Sequence, residues 1–280
     1  MNTLPTVRLG GAEVTRLIVG GNPFSGNSHV SKALDEEMAD YFTVERIKRT
    51  LFDCECHGLT AMQMRADRHI MRLLREYRNE GGRLHWIAQI ASELADIKGN
   101  VRQIAAAGAI ASYHHGSRSD HLWYAGRIDE AQEILKVMRD CGIAVGMGSH
   151  MPEVIEYAEE HNWDVDFYLC SAYNLSKRPR ESAIVSGKTQ EEQFDDEDRD
   201  RMLSVVRSVS KPCLVIKILG ASRKCDSPEA TRDAFAFTFD RIKSTDAVVV
   251  GMYPKYRDQV AENARIVREL LSPAAVGASA

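Results

Sequence analysis

The sequence predicts a single closed (β/α)8 barrel, and two observations carry this prediction. Short apolar runs of strand type alternate with longer segments of helical period through almost all of the 280 residues. Eight such runs are present, each followed by a helix, and this alternation requires parallel strands because every helix returns the chain to the same end. Eight units in roughly 250 residues fit a closed barrel, whereas an open doubly wound sheet of this length usually has fewer strands.

The predicted elements follow one another in order along the chain. A hairpin over Val7–Val14, turning at Gly10-Gly11, precedes the first barrel strand. The eight strands are predicted at Arg16–Gly20, Leu59–Met64, Leu84–Ile90, Gly108–Tyr113, Ile143–Ser149, Val165–Leu169, Cys213–Ile218 and Ala247–Val250. The helices are predicted at Val44–Cys56, Arg68–Asn79, Val101–Ala107, Asp129–Asp140, Pro152–Glu160, Asp196–Val209, Ser227–Ile242 and Tyr256–Leu271. The first of these helices is followed by Gly58, as is typical just past a helix C-terminus.

Two segments depart from this alternation. Asn22–Thr43 is predicted as a long loop after the first strand, and Ser176–Asp195 is polar and charged. Both would lie at the C-terminal face of the barrel, where long loops usually cover or shape a site. No linker rich in Pro, Gly or Ser divides the chain, so residues 1–271 are predicted as one domain and 272–280 as a flexible tail.

Charge and composition exclude several classes of function. The formal net charge of −4 gives no reason to expect nucleic-acid binding. No apolar run approaches the length of a membrane span, and the first residues lack the basic and apolar regions of a secretory signal. Six scattered cysteines in a chain of this size do not make a disulfide framework. We therefore expect a cytoplasmic protein whose partner is a small-molecule substrate, with the oligomeric state left open.

Reactive side chains follow four consecutive predicted strands. Glu93 comes after the third strand, and the pair His114-His115 comes after the fourth. His150 follows the fifth strand and Cys170 the sixth. Parallel strands bring their carboxyl ends to one face, which is where barrel enzymes carry out chemistry. Because neighbours along a strand alternate faces, only one of the two adjacent histidines can point inward, and the sequence leaves open which one.

A metal site is one interpretation of these residues. A carboxylate, two imidazoles and a thiolate form a suitable ligand set for zinc or iron(II). The predicted ligands are Glu93, His115, His150 and Cys170. Such a metal would activate water or polarise a carbonyl group. The competing interpretation is structural, because histidines and cysteines at strand ends are also ordinary core residues.

A second interpretation keeps the histidine and needs no metal. His115, or His114 in its place, would act as general acid or base. Arg65, Glu93 and Lys217 would then orient a polar substrate or stabilise an oxyanion. Lys217 lies within an apolar run, and the C-terminal end of a barrel strand favours its facing the active-site cavity. A desolvated lysine at such a place can also form a Schiff base.

Further polar residues near the predicted strand ends suggest a substrate that is small and polar, such as a sugar or a polyol. They are Asn22, Gln63, Gln89, Tyr173 and Asn174. The same residues would suit a barrel that binds a ligand without catalysis. Their density at the strand ends favours an enzyme.

Four segments resemble the aldo-keto reductases over nearly the full chain. Leu9–Gly21 is similar to that family's hairpin and first strand, and Tyr113–Asp120 to its fourth strand end with a catalytic histidine. Tyr173–Leu175 resembles a Tyr-Asn-Leu that follows strand six, and Gly251–Asn263 resembles the strand-eight segment. The resemblance implies a (β/α)8 barrel and carbonyl reduction with NADP.

Other residues that this resemblance calls for are replaced. Gln63–Arg68 stands where the family has its Tyr acid, and Ser92-Glu93 stands where it has the activating lysine. The positions that anchor the nicotinamide carboxamide correspond to Gly148-Ser149 and Cys170. We therefore expect hydride transfer to have been lost, leaving a hydrolase, lyase or isomerase.

The alternative is an NADP-dependent oxidoreductase with an unusual proton donor. Positive side chains after the eighth strand could attract the phosphate of that cofactor. They are Lys255, Arg257 and Arg265. Such charges are also common as a solvated helix surface.

Overall fold

The computed structural model describes residues 4–178 and 192–272. Eight parallel strands close into a barrel in the order of the chain, as the sequence predicts. After the hairpin strands β1 (Thr6–Leu9) and β2 (Ala12–Thr15), the barrel strands are β3 (Leu17–Gly20), β4 (Ala61–Arg65), β5 (His85–Gln89), β6 (Ala111–His114), β7 (Ala144–Ser149), β8 (Phe167–Ser171), β9 (Cys213–Ile216) and β10 (Ala247–Gly251). The described residues contain no helix long and apolar enough to cross a membrane.

Helices surround the barrel and connect its strands. They are α1 (Lys32–Tyr41), α2 (Val44–Cys56), α3 (Arg68–Asn79), α4 (Ile97–Ala106), α5 (Gly116–Tyr124), α6 (Ala131–Asp140), α7 (Pro152–Glu160), α8 (Asp196–Ser208), α9 (Pro228–Phe239) and α10 (Gln259–Leu271). Side-chain oxygens cap the N-termini of several helices; Asp67 caps α3 and Asp258 caps α10.

Three predictions about elements need correction or lie outside the described residues. The segment Asn22–Thr43 is not a plain loop, because α1 lies within it, capped by the Ser31 side chain. Strand β9 ends at Ile216, so Lys217 lies just beyond the strand, with φ at 61°. Most of the charged segment 176–195 and nearly all of the predicted tail fall outside the described residues.

The hairpin closes the N-terminal end of the barrel. Val7, Leu9 and Val14 are buried and pack with apolar side chains inside the barrel, such as Ile18 and Ile87. This plug completes the interior core, which leaves the C-terminal end as the face that carries the cavity.

Alternation along the strands separates the inside of the barrel from the layer under the helices. On β6, Tyr113 packs with the interior side chains, and the next residue, His114, is buried against helix α5 through Ser119. On β8, Leu169 belongs to the interior and Cys170 to the layer between strands and helices. This alternation decides which strand-end residues reach the cavity.

Candidate functional site

A cavity of about 630 Å³ opens at the C-terminal ends of the strands. Several polar side chains line it: three lie on β4, β5 and β6, and the others lie in the segments that follow β3, β6, β7, β8, β9 and β10. They include Asn22, His29, Gln63, Gln89, Tyr113, His115, His150, Glu192, Lys217 and Arg257. A concave site with convergent polar groups at this face of a barrel is the usual place for substrate binding.

A hydrogen-bonded row forms one wall of the cavity. The Tyr113 hydroxyl accepts a hydrogen bond from Gln63 Nε2 at 2.8 Å and donates one to Gln89 Oε1 at 2.9 Å. Burial raises the pKa of Tyr113 well above its usual value, so the phenol remains protonated. The row presents neutral amide and hydroxyl groups, which suit a polar substrate.

His150 is held by a buried carboxylate. Its Nδ1–H donates to Asp120 Oδ2 at 2.7 Å, since a carboxylate can only accept. Asp120 is 2% exposed and also accepts hydrogen bonds from the hydroxyls of Ser149 and Ser176. Burial by itself would raise the pKa of Asp120, but His150 and the two serines together hold it below its usual value. The carboxylate thereby fixes the orientation of the imidazole and keeps its proton on Nδ1, and Nε2 is the other ring nitrogen of this cavity-lining residue.

His115 is the member of the adjacent pair that lines the cavity. Its Nδ1 lies 2.9 Å from the Ser92 hydroxyl. Burial, and then the neighbouring His150 and Arg65, lower the pKa of His115 to about 3. His115 is therefore a neutral hydrogen-bonding group at ordinary pH.

Three ionisable side chains form a chain across another wall of the cavity. His29 Nδ1 lies 2.8 Å from Glu192 Oε2, and His29 Nε2 lies 2.9 Å from Lys217 Nζ. Asn22 Nδ2 is also within 3.1 Å of His29 Nε2. Burial and the positive charge of Lys217 lower the pKa of His29. The imidazole between carboxylate and ammonium is thus neutral.

The cavity continues beside β10 and α10. Arg257 lies in its wall and is ion-paired with Glu262 at 2.6 Å, and Asn263 lines the same part while only 3% exposed. Lys255 is absent from the described lining and pairs with Glu37 on α1. Arg265 pairs with Glu269 on its own helix. Of the three predicted phosphate-binding side chains, only that of Arg257 faces the cavity.

The structure does not bring the predicted metal ligands together. The described residues contain no group of three or more His, Cys, Asp or Glu side chains placed to hold a metal ion. Glu93 is ion-paired with Arg65, and Cys170 is buried in the layer under the helices. His115 and His150 alone reach the cavity from the predicted set, so these residues do not fit the zinc or iron(II) centre.

Other predicted residues also lie away from the described cavity lining. Arg65 is 9% exposed and bridges Glu93 and Asp67, which makes it a support behind the site. Tyr173 packs its ring against Phe194. Asn174 accepts a hydrogen bond from the Ser176 backbone in a local turn.

Three of the groups that the cavity depends on are not among the residues predicted from the sequence. Asp120 follows the histidine pair within α5, where it resembles an ordinary helix residue, although an acid close to several histidines in the sequence is a recognisable signal. His29 and Glu192 lie in the two segments that depart from the strand–helix alternation, and no periodic pattern places a loop residue in space.

No known family profile matches the sequence, and no curated protein matches it. Solved structures do match. The holo form of an aldo-keto reductase from Bacillus halodurans is 11% identical, with a TM-score of 0.61, over 94% of this chain and 91% of that chain. A glycerol dehydrogenase from Gluconobacter oxydans is 10% identical, with a TM-score of 0.54, over 95% and 90%.

A barrel of another kind is similar to almost the same extent. A truncated 3-deoxy-D-arabino-heptulosonate 7-phosphate synthase from Thermotoga maritima is 14% identical, with a TM-score of 0.53, covering 96% of this chain and 91% of that one. Identities this low show the (β/α)8 fold that all these proteins share, and a fold of this kind supports many reactions.

Proposed function

We propose that the protein is an enzyme that transfers a proton on a small polar carbonyl compound, as a lyase or an isomerase, with His150 as the base. The observation that carries this proposal is the pair formed by His150 and the buried Asp120 at the wall of the cavity. A base oriented by a carboxylate, with its other nitrogen towards the substrate, is the usual arrangement for general acid–base catalysis.

The remaining side chains of the cavity supply the other half of this chemistry. Removing a proton next to a carbonyl group places negative charge on the carbonyl oxygen. The Lys217 ammonium can stabilise that charge, and the neutral His115 can donate a hydrogen bond to it. No metal ion is required for these steps.

The substrate class follows from the wall of the cavity. The row of Gln63, Tyr113 and Gln89 offers both donors and acceptors, which match the hydroxyl groups of a sugar- or polyol-like carbonyl compound. A volume of about 630 Å³ accommodates a molecule of that size.

Deuterium exchange tests this proposal, because a base that removes a proton next to a carbonyl group returns deuterium in its place when the solvent is D2O. Dihydroxyacetone, glycolaldehyde and pyruvate are incubated with the protein in D2O, and proton NMR follows the hydrogens next to each carbonyl. We expect exchange with at least one of these compounds at a rate well above that with heat-denatured protein. Rates equal to those with denatured protein for all three compounds would contradict the proposal.

A second candidate function is NADP-dependent reduction by a divergent relative of the aldo-keto reductases. The extension of the cavity to Arg257 and Asn263 favours it, because a guanidinium there can hold a phosphate. Against it, the Ser149 hydroxyl is hydrogen-bonded to Asp120, and Cys170 lies outside the described lining, so neither of the corresponding positions offers a carboxamide anchor. Titration with NADPH, followed by its fluorescence, distinguishes the two: micromolar binding supports the reductase.

A further inference from the structure

We propose that Lys217 is a nucleophile that forms an iminium with the carbonyl substrate, and that His29, backed by Glu192, accepts the proton that the lysine must lose. This inference rests on the proposed function, because it assumes a carbonyl compound in the same cavity. It replaces oxyanion stabilisation by the Lys217 ammonium with a covalent step and names the groups that make this step possible.

The hydrogen-bond geometry defines the direction of proton transfer. The Glu192 carboxylate can only accept, so the His29 Nδ1–H donates to it across 2.8 Å. His29 Nε2 is then the acceptor facing Lys217 Nζ at 2.9 Å. A carboxylate, an imidazole and a nucleophile in this order form the general arrangement by which proteins activate a weak nucleophile.

Charge repulsion keeps a single positive charge on the two basic groups. Burial lowers the pKa of His29 most, and the charge of Lys217 lowers it further. Two cations at this distance repel each other, so His29 is neutral while Lys217 is protonated. When Lys217 gives up its proton, the repulsion disappears and His29 can accept that proton. Glu192 is the anion that stabilises the imidazolium.

The backbone holds the two groups in an uncommon conformation. His29 has φ of 59° and Lys217 has φ of 61°, both in the left-handed region that residues other than glycine rarely occupy. Arg223 joins their two loops, because its guanidinium donates to the carbonyl oxygens of His29 and Gly220. Strain of this kind persists where surrounding contacts enforce it, and it is concentrated at functional sites.

Groups of the site supply every proton that formation of the iminium requires. The neutral Nζ attacks the carbonyl carbon, the π electrons move to oxygen, and that oxygen takes a proton to give a carbinolamine. A second proton converts the hydroxyl into water, which leaves as the nitrogen lone pair forms the C=N bond. The imidazolium of His29 supplies one proton, and the second proton comes from the nitrogen of the amine itself. The resulting iminium withdraws electrons from the neighbouring carbon, from which His150 removes a proton.

Reductive trapping tests this inference. The protein is incubated with dihydroxyacetone, glycolaldehyde or pyruvate and sodium cyanoborohydride near neutral pH, and the adducts are mapped by peptide mass spectrometry. An ordinary lysine, with a pKa of about 10.4, is neutral in fewer than about one molecule in a thousand at that pH. We expect the adduct on Lys217 to exceed that on Lys224 by at least about tenfold, since Lys224 is ion-paired with Asp196 outside the cavity.

Variants distinguish the role of His29 as proton acceptor for Lys217 from the role of His150 as the base. His29→Asn should reduce labelling of Lys217, Lys224→Met should leave it unchanged, and His150→Asn should leave the adduct while slowing deuterium exchange by about 10²-fold or more. Circular dichroism checks that each variant is folded. Equal labelling of Lys217 and Lys224 overturns the inference, as does labelling that is unaffected in His29→Asn. Exchange without an adduct contradicts the covalent step and leaves the proposed function in place. An adduct on Lys217 without exchange supports the covalent step and contradicts the proposed proton transfer by His150.

Discussion

Asp120 affects both the stability of the protein and the orientation of its neighbour His150. Its carboxylate is buried, accepts hydrogen bonds from Ser149 and Ser176, and fixes the tautomer of His150. Burying a carboxylate is costly unless it is paired and fully hydrogen-bonded, and here four hydrogen bonds, one of them from the His150 backbone, satisfy it. The same contacts that make the burial tolerable make His150 a directed base.

Asp120→Asn should therefore affect both stability and catalysis. The amide keeps the shape but offers an NH2 group where an acceptor is needed, which permits the wrong tautomer of His150. We expect the rate of deuterium exchange to fall by about 10²-fold or more, and the free energy of unfolding to fall by about 1–3 kcal/mol, as when buried hydrogen-bonding groups are left unsatisfied. Urea denaturation and NMR measure the two effects. Asp129→Asn, at an exposed residue, is the control, and equal behaviour of the two variants would contradict this account.

Sequence alone could place some of these residues and not others. His150 and Lys217 follow barrel strands directly, so the topology brings them to the cavity. Cys170 also lies at a strand end, but its position in the alternation directs it under the helices. The register of a strand relative to the barrel axis decides this, and a short, wholly apolar run does not reveal it.

At the scale of elements, strand β7 shows how closely the barrel interior is packed. Gly146 lies opposite Phe167 on β8, and a Cβ added at Gly146 would come within 2.3 Å of the Phe167 ring. The ring occupies the space that a side chain at that position would take. The φ of Gly146 is not in the positive range, so the backbone conformation does not require glycine. The close approach of the Phe167 ring does.

Gly146→Ala should accordingly destabilise the barrel. The methyl group would force the Phe167 ring, inside a filled core, to move, and overpacking of this kind costs about 1–3 kcal/mol. Gly11→Ala is the matched control, because nothing lies within 4 Å of the added Cβ. Thermal and urea unfolding compare the two. A Gly146→Ala variant as stable as the control would show that the strand can relax around the ring.

The elements are largely predictable because period and length identify them. Helices α2, α3 and α7 begin and end at the predicted residues. Thr43 and Asp67 cap the starts of α2 and α3, Gly58 follows the end of α2, and α7 begins with Pro152. Helix α1 escapes prediction because its apolar positions are few and only Met38 among its residues is buried. Its packing against the residues after β3 is a tertiary property that a local pattern does not contain.

At the scale of the whole molecule, buried histidines connect the site to stability. Burial lowers the pKa of His114 and of His115 to about 3. In the unfolded chain these groups titrate near about 6.5, so between the two values the native state binds fewer protons than the unfolded state. The free energy of unfolding therefore depends on pH through these two histidines.

Unfolding free energy should therefore decrease as the pH falls from about 6.5 towards about 3. Asp120, whose pKa is lowered in the folded protein, adds a further loss only below about 3.9. Urea denaturation followed by circular dichroism at neutral and mildly acidic pH measures the trend. His114→Asn should make the dependence shallower, and a stability that is unchanged or greater in acid would be inconsistent with neutral buried histidines.

The central claim, that His150 is the base of a proton-transfer enzyme, is tested most directly by deuterium exchange into dihydroxyacetone catalysed by His150→Asn. The control is His121→Asn, which alters an exposed histidine of α5 outside the described cavity lining. The account predicts that exchange by the wild-type protein and the control is equally fast, and that His150→Asn is slower by about 10²-fold or more while still folded. Exchange by His150→Asn at the wild-type rate would contradict the claim.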